Sequence, residues 1–187
     1  MNRLASWGLG AAFIAAAWGT TLLAPAPTEW RTPYVTDIEV GEVQTSGNLT
    51  VEVHDVYFAD ELVDSQPSGV WTGAGNFLVL DLSAQVYQDE SMNRIVTRTA
   101  ILGDDEYWPT ERVYTQIGSA TLSAAIASRG TMVFELPPEV RSGTIIVQLG
   151  SGDAKQAGQI TQLEISLEEL TVHDSMRLEK VRWEPSL

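Results

Sequence analysis

The chain has 187 residues, no cysteine and a formal net charge of −14 at pH 7. Without cysteine there is no disulfide framework, no thiolate metal site and no acceptor for a lipid anchor. The acidic balance argues against nucleic acid as a partner, because phosphate contacts need clustered lysine and arginine. Hydrophobic residues make up 44% of the chain, which is enough to build a core.

Residues 1–24 have the pattern of a membrane anchor. Arg3 supplies positive charge, and the 21 residues from Leu4 onward carry no charge. Because a helix needs about 20 apolar residues to cross a membrane, we predict one transmembrane helix, a signal anchor, over residues 1–24. The positive charge before it places the rest of the chain outside the cytoplasm. The alternative is a cleaved signal peptide with an Ala-x-Ala site at residues 24–26.

Small residues recur at every fourth position of this segment. Gly8, Ala12 and Ala16 share one face of the predicted helix. Since small residues let helix backbones approach closely in lipid, this face is a candidate for packing against another transmembrane helix. Chance is the alternative explanation, because an alanine-rich segment produces such spacings readily.

The rest of the chain alternates strand-like segments with turns. Residues 25–36 hold three prolines and indicate a short linker. We predict strands at 38–43, 49–58, 76–87, 95–102, 129–138, 143–150 and 159–174. The segments 61–75 and 103–111 are predicted to be loops, and 120–128 is irregular.

This many short strands without an amphipathic helix favours a mainly β fold. We predict one antiparallel β-sandwich domain over residues 37–175, followed by a tail at 176–187, with a closed barrel as the alternative. The segment FLVLDL at 77–82 is apolar at nearly every position, as expected of a central strand covered on both faces.

The segment RGTMVFELPP at 129–138 has a clearer alternation. Met132, Phe134 and Leu136 fall on one predicted face, which we assign to the core. Pro137 and its neighbour end the strand, because proline cannot donate a ladder hydrogen bond.

Four segments in this order, FLVLDL, GDDEY, ASRGTMVFELPP and GTIIVQL, carry a family resemblance. The chain resembles, over about residues 48–150, a family of bacterial extracytoplasmic immunoglobulin-like domains. The resemblance implies an immunoglobulin-like antiparallel β-sandwich in a membrane-anchored or lipoprotein-type protein, and it implies no catalytic residue. The chain departs from the family pattern because it lacks a lipidated cysteine and extends past residue 150.

One candidate binding site combines aromatic and acidic residues of the two predicted loops. Aromatic side chains on loops can stack on sugars or fill the pocket of a partner. The candidate residues are Trp71, Asp104, Asp105, Glu106, Tyr107 and Trp108. The alternative is that the aromatic residues only cover the end of the sandwich. For calcium, the acidic residues lack the spacing of a known binding loop, so solvated loops are the simpler interpretation.

The two histidines occur in similar contexts, LTVEVHD and LTVHD. The simpler interpretation is two sister strands; the sharper one brings His54 and His173 together as a weak metal site or pH sensor. Two ligands are fewer than the three or four that a zinc site needs, so no metal or other cofactor is predicted.

These patterns together favour a non-enzymatic function. We expect an accessory or protein-interaction module of a membrane or cell-envelope complex. The alternative is an extracytoplasmic module that binds a glycan or a cation such as calcium. An enzyme is the third hypothesis, because no nucleophile motif is present in the sequence.

Overall fold

The computed structural model describes residues 3–23, 33–88, 93–152 and 158–187. The chain divides into two compact units, residues 1–32 and 33–187. In the first unit, helix α1 (Arg3–Leu23) has 21 residues. Gly8, Ala12 and Ala16, the predicted packing face, are exposed along this helix. Most of the predicted linker, residues 25–32, lies outside the described residues.

The predicted transmembrane helix is not supported. Among the residues that the structure describes, no helix is long and apolar enough to cross a membrane. In α1, three glycines together with Ser6 and Thr20 lower the mean hydropathy that the alanines and leucines provide.

The second unit is built from strands. Those that the structure describes are β1 (Tyr34–Ile38), β2 (Val43–Ser46), β3 (Leu49–Gln66), β4 (Gly69–Val86), β5 (Thr97–Leu102), β6 (Asp105–Tyr107), β7 (Ala127–Leu136), β8 (Thr144–Gly150), β9 (Gln159–Ser166), β10 (Val172–His173), β11 (Met176–Arg177) and β12 (Arg182–Glu184). Short 3-10 turns lie at Ile117–Ser119 and Leu167–Glu169.

These strands form two sheets that pack as a sandwich. The smaller sheet has the order β1-β9-β8-β5-β6, and the larger sheet has the order β10-β3-β4-β7-β12, with β2 and β11 also paired to β3. Most ladders are antiparallel, as predicted, but β1 pairs with β9 in parallel, and β10 and β11 pair with β3 in parallel. The mainly β sandwich is therefore confirmed, with a mixed rather than purely antiparallel pattern.

The main core lies between the sheets. From β4 it takes Leu78, Leu80 and Leu82, and from β7 it takes Met132, Phe134 and Leu136, all 3% exposed or less. The predicted inward face of RGTMVFELPP is thereby confirmed, and β7 ends at Leu136, directly before the two prolines. Phe77 and Val79 point to the opposite face of the sheet and are also fully buried. The prediction that FLVLDL is covered on both faces is correct.

The β3–β4 hairpin is longer than predicted. Each strand has 18 residues, and pairing continues from Leu49↔Val86 to Gln66↔Gly69. The loop predicted at 61–75 is therefore wrong, because most of this segment is strand. Gly73 and Gly75, which fall in this predicted loop, lie inside β4.

Other boundaries differ for local reasons. Residues 39–42 of the strand predicted at 38–43 form a turn between β1 and β2, with Gly41 at φ +84°. The predicted loop at 103–111 contains β6. The 3-10 turn at Leu167–Glu169 ends β9 and divides the strand predicted at 159–174. Residues 176–187, predicted as a tail, contribute β11 and β12 to the larger sheet.

Candidate functional site

The outer face of the larger sheet, which points away from the smaller sheet, carries a second apolar cluster. Phe77, Val79 and Val133 are fully buried in it. Its cover comes from two segments, the loop 109–118 through Val113 and the C-terminal segment through Leu178. Both segments also line cavities, so the way they are held decides the geometry of any site on this face.

A buried carboxylate holds one end of the loop 109–118. Asp64 on β3 is 0% exposed. Its Oδ2 accepts a hydrogen bond from the backbone N–H of Tyr114 at 2.7 Å, and its Oδ1 accepts one from the Thr115 hydroxyl at 2.5 Å. A buried carboxylate needs such donors, because burial without them is strongly unfavourable.

A buried amide holds the same loop against β7. Nε2 of Gln116 donates to the carbonyl oxygen of Thr110 at 2.6 Å, and Oε1 of Gln116 accepts the N–H of Val133 at 2.9 Å. The N–H of Thr110 donates to the carbonyl oxygen of Val133 at 2.8 Å. The loop thus pairs with β7 over a stretch where β12 does not reach, and it has an ordered shape.

An arginine lies between two aromatic rings at the mouth of this region. The guanidinium carbon of Arg112 is 5.1 Å from the ring centroid of Trp71 and 5.6 Å from that of Phe77. Nη1 of Arg112 is 2.6 Å from Oε1 of Glu135. Cation–π contacts of this kind are worth about 0.5–1 kcal/mol at exposed sites. Trp71 is therefore held in place by the loop rather than free at the end of a hairpin.

The glycines of β4 make room for these rings. A Cβ added at Gly73 would lie 2.3 Å from the Trp71 ring and 2.7 Å from Nη2 of Arg112. A Cβ added at Gly75 would lie 2.7 Å from the Phe77 ring. Both glycines are explained by close approach of side chains to the strand.

Above this stack lies an open groove with a volume of about 1000 Å³. We call it the groove; it lies between the end of the β3–β4 hairpin, the loop 109–120 and the C-terminal segment. Its walls include Trp71, Arg98, Arg112, Tyr114, Gln116 and Lys180. A volume of this size is at the upper end of the range for small-molecule sites.

A second cavity of about 350 Å³ shares Lys180 with the groove. Its walls include Tyr57, Asp81, Arg129, Arg177 and Arg182. Asp81 accepts both hydrogen bonds from Arg129, at 3.1 and 2.6 Å, and this pairing raises the pKa of Arg129 above its usual range. We call it the Arg129 cavity.

Tyr57 lines the Arg129 cavity and is 8% exposed. Burial, and then the charges of Asp81, Asp55 and Glu179, raise the pKa of its phenol from 10.0 to about 12. The phenol is therefore neutral at physiological pH, and no proton transfer at neutral pH is expected from it.

A serine, a histidine and a glutamate form a chain on the same face. Nε2 of His54 is 2.7 Å from the Ser83 hydroxyl, and Nδ1 of His54 is 3.3 Å from Oε1 of Glu52. This is the order of groups in a hydrolase triad. However, Ser83 is 0% exposed and its hydroxyl donates to Glu184 of β12 at 3.0 Å. Ser83 also sits within the ladders to Glu52 and Arg129, so its strand has no turn that would present an oxyanion hole.

The structure places the residues predicted to form one binding loop in different elements. Trp71 lines the groove, whereas the walls described for that cavity do not include residues 104–108. Asp104 lies in the turn between β5 and β6, with Gly103 at φ +61°, whereas Asp105 and Glu106 begin β6; all three are exposed. The combined aromatic and acidic binding site stays a prediction.

The two aromatic residues after this turn have different environments. Tyr107 packs against the main core and pairs with Ala100, so it has a structural position. Burial, followed by the charges of Asp105 and Glu139, raises the pKa of its phenol. Trp108 is 57% exposed.

The two histidines do not meet. His173 pairs in register with Ala59, five residues along β3 from His54, which is about 16 Å of strand. The His173 ring packs edge-on against Tyr57, with centroids 5.1 Å apart, while His54 contacts Ser83 and Glu52. Within the described parts of the chain, no three histidine or acidic side chains are grouped so that they could hold a metal ion.

Sequence reasoning missed Arg112, Tyr114 and Asp64 as residues that shape a candidate site. Asp64 left only the signal of an acidic residue in the segment 61–75, which was predicted to be a loop. Arg112 and Tyr114 left none, because their partners Trp71 and Asp64 lie about 40 and 50 positions away in sequence.

No family model and no curated protein matches the chain. Among solved structures, an uncharacterised β-sandwich protein from Clostridium difficile 630 has a TM-score of 0.51 at 11% identity, covering 76% of this chain and 100% of its own. A candidate lipoprotein from Staphylococcus aureus subsp. aureus NCTC 8325 has a TM-score of 0.47 at 8% identity, covering 73% and 96%. The first likeness establishes a β-sandwich fold and nothing finer; the immunoglobulin-like family and a membrane anchor gain no support from it.

Proposed function

We propose that the protein is a non-enzymatic binding module of the cell envelope that holds a partner protein in the groove. One observation carries this proposal: the groove has ordered walls that present aromatic and cationic side chains. Trp71 and Arg112 are stacked on each other, and Tyr114 is 63% exposed while its backbone is held by Asp64. Aromatic residues and arginine are enriched where proteins bind partners.

The envelope location rests on the N-terminal sequence. A basic residue followed by a long uncharged segment is typical of chains that are exported. A cleaved signal peptide accounts for this pattern without a membrane-spanning helix. The net charge of −14 is compatible with a soluble extracytoplasmic domain.

The absence of catalysis is part of the proposal and rests on the Ser83 environment. A nucleophile must be reachable by its substrate, but Ser83 is fully buried and its hydroxyl donates to Glu184 of β12. We interpret Glu52, His54, Ser83 and Glu184 as a polar network that helps to hold β12 in the sheet.

The proposal is tested by photo-crosslinking in intact cells. A benzophenone amino acid is placed at Tyr114, in the groove, or at Tyr87, which is equally exposed at the far end of β4 (63% and 67%). We expect a discrete protein adduct from position 114 that is absent from position 87 and is lost when Trp71→Ala is added. Identical adducts from both positions would contradict a partner site in the groove.

A second candidate function is glycan binding at the same groove. The observation in its favour is that Trp71 lines the groove and is only half-buried, so the part of its ring that Arg112 leaves uncovered is a surface on which a sugar can stack. The calcium form of this alternative has no comparable support, since Asp104 lies in a tight turn, Asp105 and Glu106 lie in β6, and all three are exposed.

A further inference from the structure

The basic residues of the sandwich are unevenly placed. Residues 33–187, where described, hold 8 basic and 21 acidic residues, a net charge of −13. The walls of the groove and of the Arg129 cavity hold 6 of these basic residues and only 4 acidic ones, a net charge of +2. The basic wall residues are Arg98, Arg112, Arg129, Arg177, Lys180 and Arg182. The rest of the described surface is thus more acidic than the domain as a whole.

Some of these cations form ion pairs with acidic side chains, and two others are available to a ligand. Arg129 is held by Asp81, and Arg112 by Glu135. In contrast, neither Arg177 nor Lys180 has an ion-pair partner within the described part of the chain, and both are exposed. Lys180 belongs to both cavity walls, so its ammonium group is available to a ligand that lies across the two.

The negative charge of the rest of the domain does not prevent an anion from binding here. At physiological ionic strength, charges further apart than about 8 Å are largely screened. A ligand in the cavities therefore responds mainly to the wall charges, which are positive on balance. The acidic surroundings instead restrict anion binding to this one face.

We infer that the ligand of the groove is a linear polyhydroxylated polymer carrying repeated negative charges, which runs from Trp71 across Lys180 into the Arg129 cavity. Trp71 supplies a stacking surface for a sugar or polyol unit, and Arg177 and Lys180 supply counter-charges for the anionic groups. This inference rests on the second candidate function, glycan binding, and puts the polymer in the groove in place of a partner protein. Repeated carboxylates or repeated phosphates would satisfy the same chemistry.

Calorimetric titration of the purified protein tests the inference with four polymers. Polygalacturonate carries carboxylates, poly(glycerol phosphate) carries phosphates, methyl-esterified polygalacturonate is the uncharged match of the first, and poly-L-glutamate is an acidic polypeptide. We expect one or both anionic polyhydroxylated polymers to bind and the methyl ester to bind at least tenfold more weakly. The affinity should fall as salt is raised from 50 to 200 mM. Which of the two polymers binds identifies carboxylate or phosphate as the source of charge.

Variants locate the site. The double variant Arg177→Ala/Lys180→Ala removes two exposed cations that form no ion pair with the residues described in the structure, and we expect it to weaken binding about tenfold. Arg94→Ala removes a cation outside both described cavity walls and should leave the affinity unchanged. Circular dichroism checks that all variants are folded.

Several outcomes would overturn the inference. Equal binding of the methyl ester would show a glycan site without charge selection. Tighter binding of poly-L-glutamate than of either polyhydroxylated polymer would indicate an acidic protein segment as the ligand. If none of the four polymers binds while the Tyr114 crosslink is still formed in cells, the anionic polymer is wrong and the binding module stands. Unchanged affinity of the double variant would place binding elsewhere.

Discussion

The two faces of the larger sheet are both buried, but they are built by different means. The inner face packs against the smaller sheet through alternating aliphatic and phenylalanine side chains of neighbouring strands. The outer face is covered by the loop 109–118 and the C-terminal segment, which are held by the polar side chains Asp64 and Gln116. The comparison shows that a face covered by loops depends on a few buried hydrogen bonds, and that such a face leaves room for cavities.

The largest expected effect is on the inner face. Phe134→Ala should lower the free energy of unfolding by about 3–5 kcal/mol, because it leaves a cavity at a fully buried position between the sheets. Urea denaturation followed by circular dichroism measures the change. Trp108→Ala, at an exposed position, is the control and should change stability by no more than about 0.5 kcal/mol. A loss below about 1 kcal/mol for Phe134→Ala would contradict the packing described.

Substitutions on the outer face should destabilise the protein mainly by removing hydrogen bonds. Asp64→Ala leaves the Tyr114 N–H and the Thr115 hydroxyl without their acceptor, which we expect to cost about 2–4 kcal/mol. In limited proteolysis, the loop 109–118 of this variant should then be cut faster than the whole protein unfolds.

Asp64→Asn is the matched variant, because its amide oxygen can still accept from Tyr114 and its amide nitrogen can donate to Thr115. It should retain more than half of the stability that Asp64→Ala loses. Equal losses for Asp64→Ala and Asp64→Asn would mean that charge, and not hydrogen bonding, holds the loop.

The stability of the protein at alkaline pH tests the environment of Tyr57 in the Arg129 cavity. Since the pKa of Tyr57 is raised from 10.0 to about 12, the folded state binds its proton more tightly than the unfolded state. This tighter binding contributes about 2–3 kcal/mol to the free energy of unfolding. The contribution is fully present below pH 10 and is lost as the pH rises to about 12. Urea denaturation at several pH values measures it, and Tyr57→Phe, which cannot ionise, should lack this part of the loss. Parallel curves for both proteins would contradict the burial of the phenol among acidic residues.

The smallest effect concerns the stack at the mouth of the groove. Gly73→Ala should cost about 1–3 kcal/mol, since the new Cβ meets the Trp71 ring and has to displace it. A changed near-ultraviolet circular dichroism spectrum would report the displaced tryptophan. Gly152→Ala, where nothing lies within 4 Å of the added Cβ, is the control and should leave the spectrum unchanged. An unaltered spectrum for Gly73→Ala would show that Trp71 is not held over the strand.

The sequence by itself determined the inner face of the sandwich. Side chains alternate along a strand, so Met132, Phe134 and Leu136 had to share one face, and the two prolines after them had to end the ladder. These rules involve neighbours only, and the fold class followed from their repetition. The continuous apolar run of FLVLDL likewise predicted a strand that is buried on both faces.

Only the tertiary structure decided the outer face and the candidate site. Asp64 and Tyr114 are 50 positions apart, so no local pattern marks their hydrogen bond. The same holds for Arg112 over Trp71, for the separation of the two histidines by strand register, and for the cations that meet around Lys180. Gly73 and Gly75 fell in a predicted loop because the rings that need their space are brought next to them only when the chain is folded. Contacts of this kind depend on which segments the fold brings together, and that information is not local in the sequence.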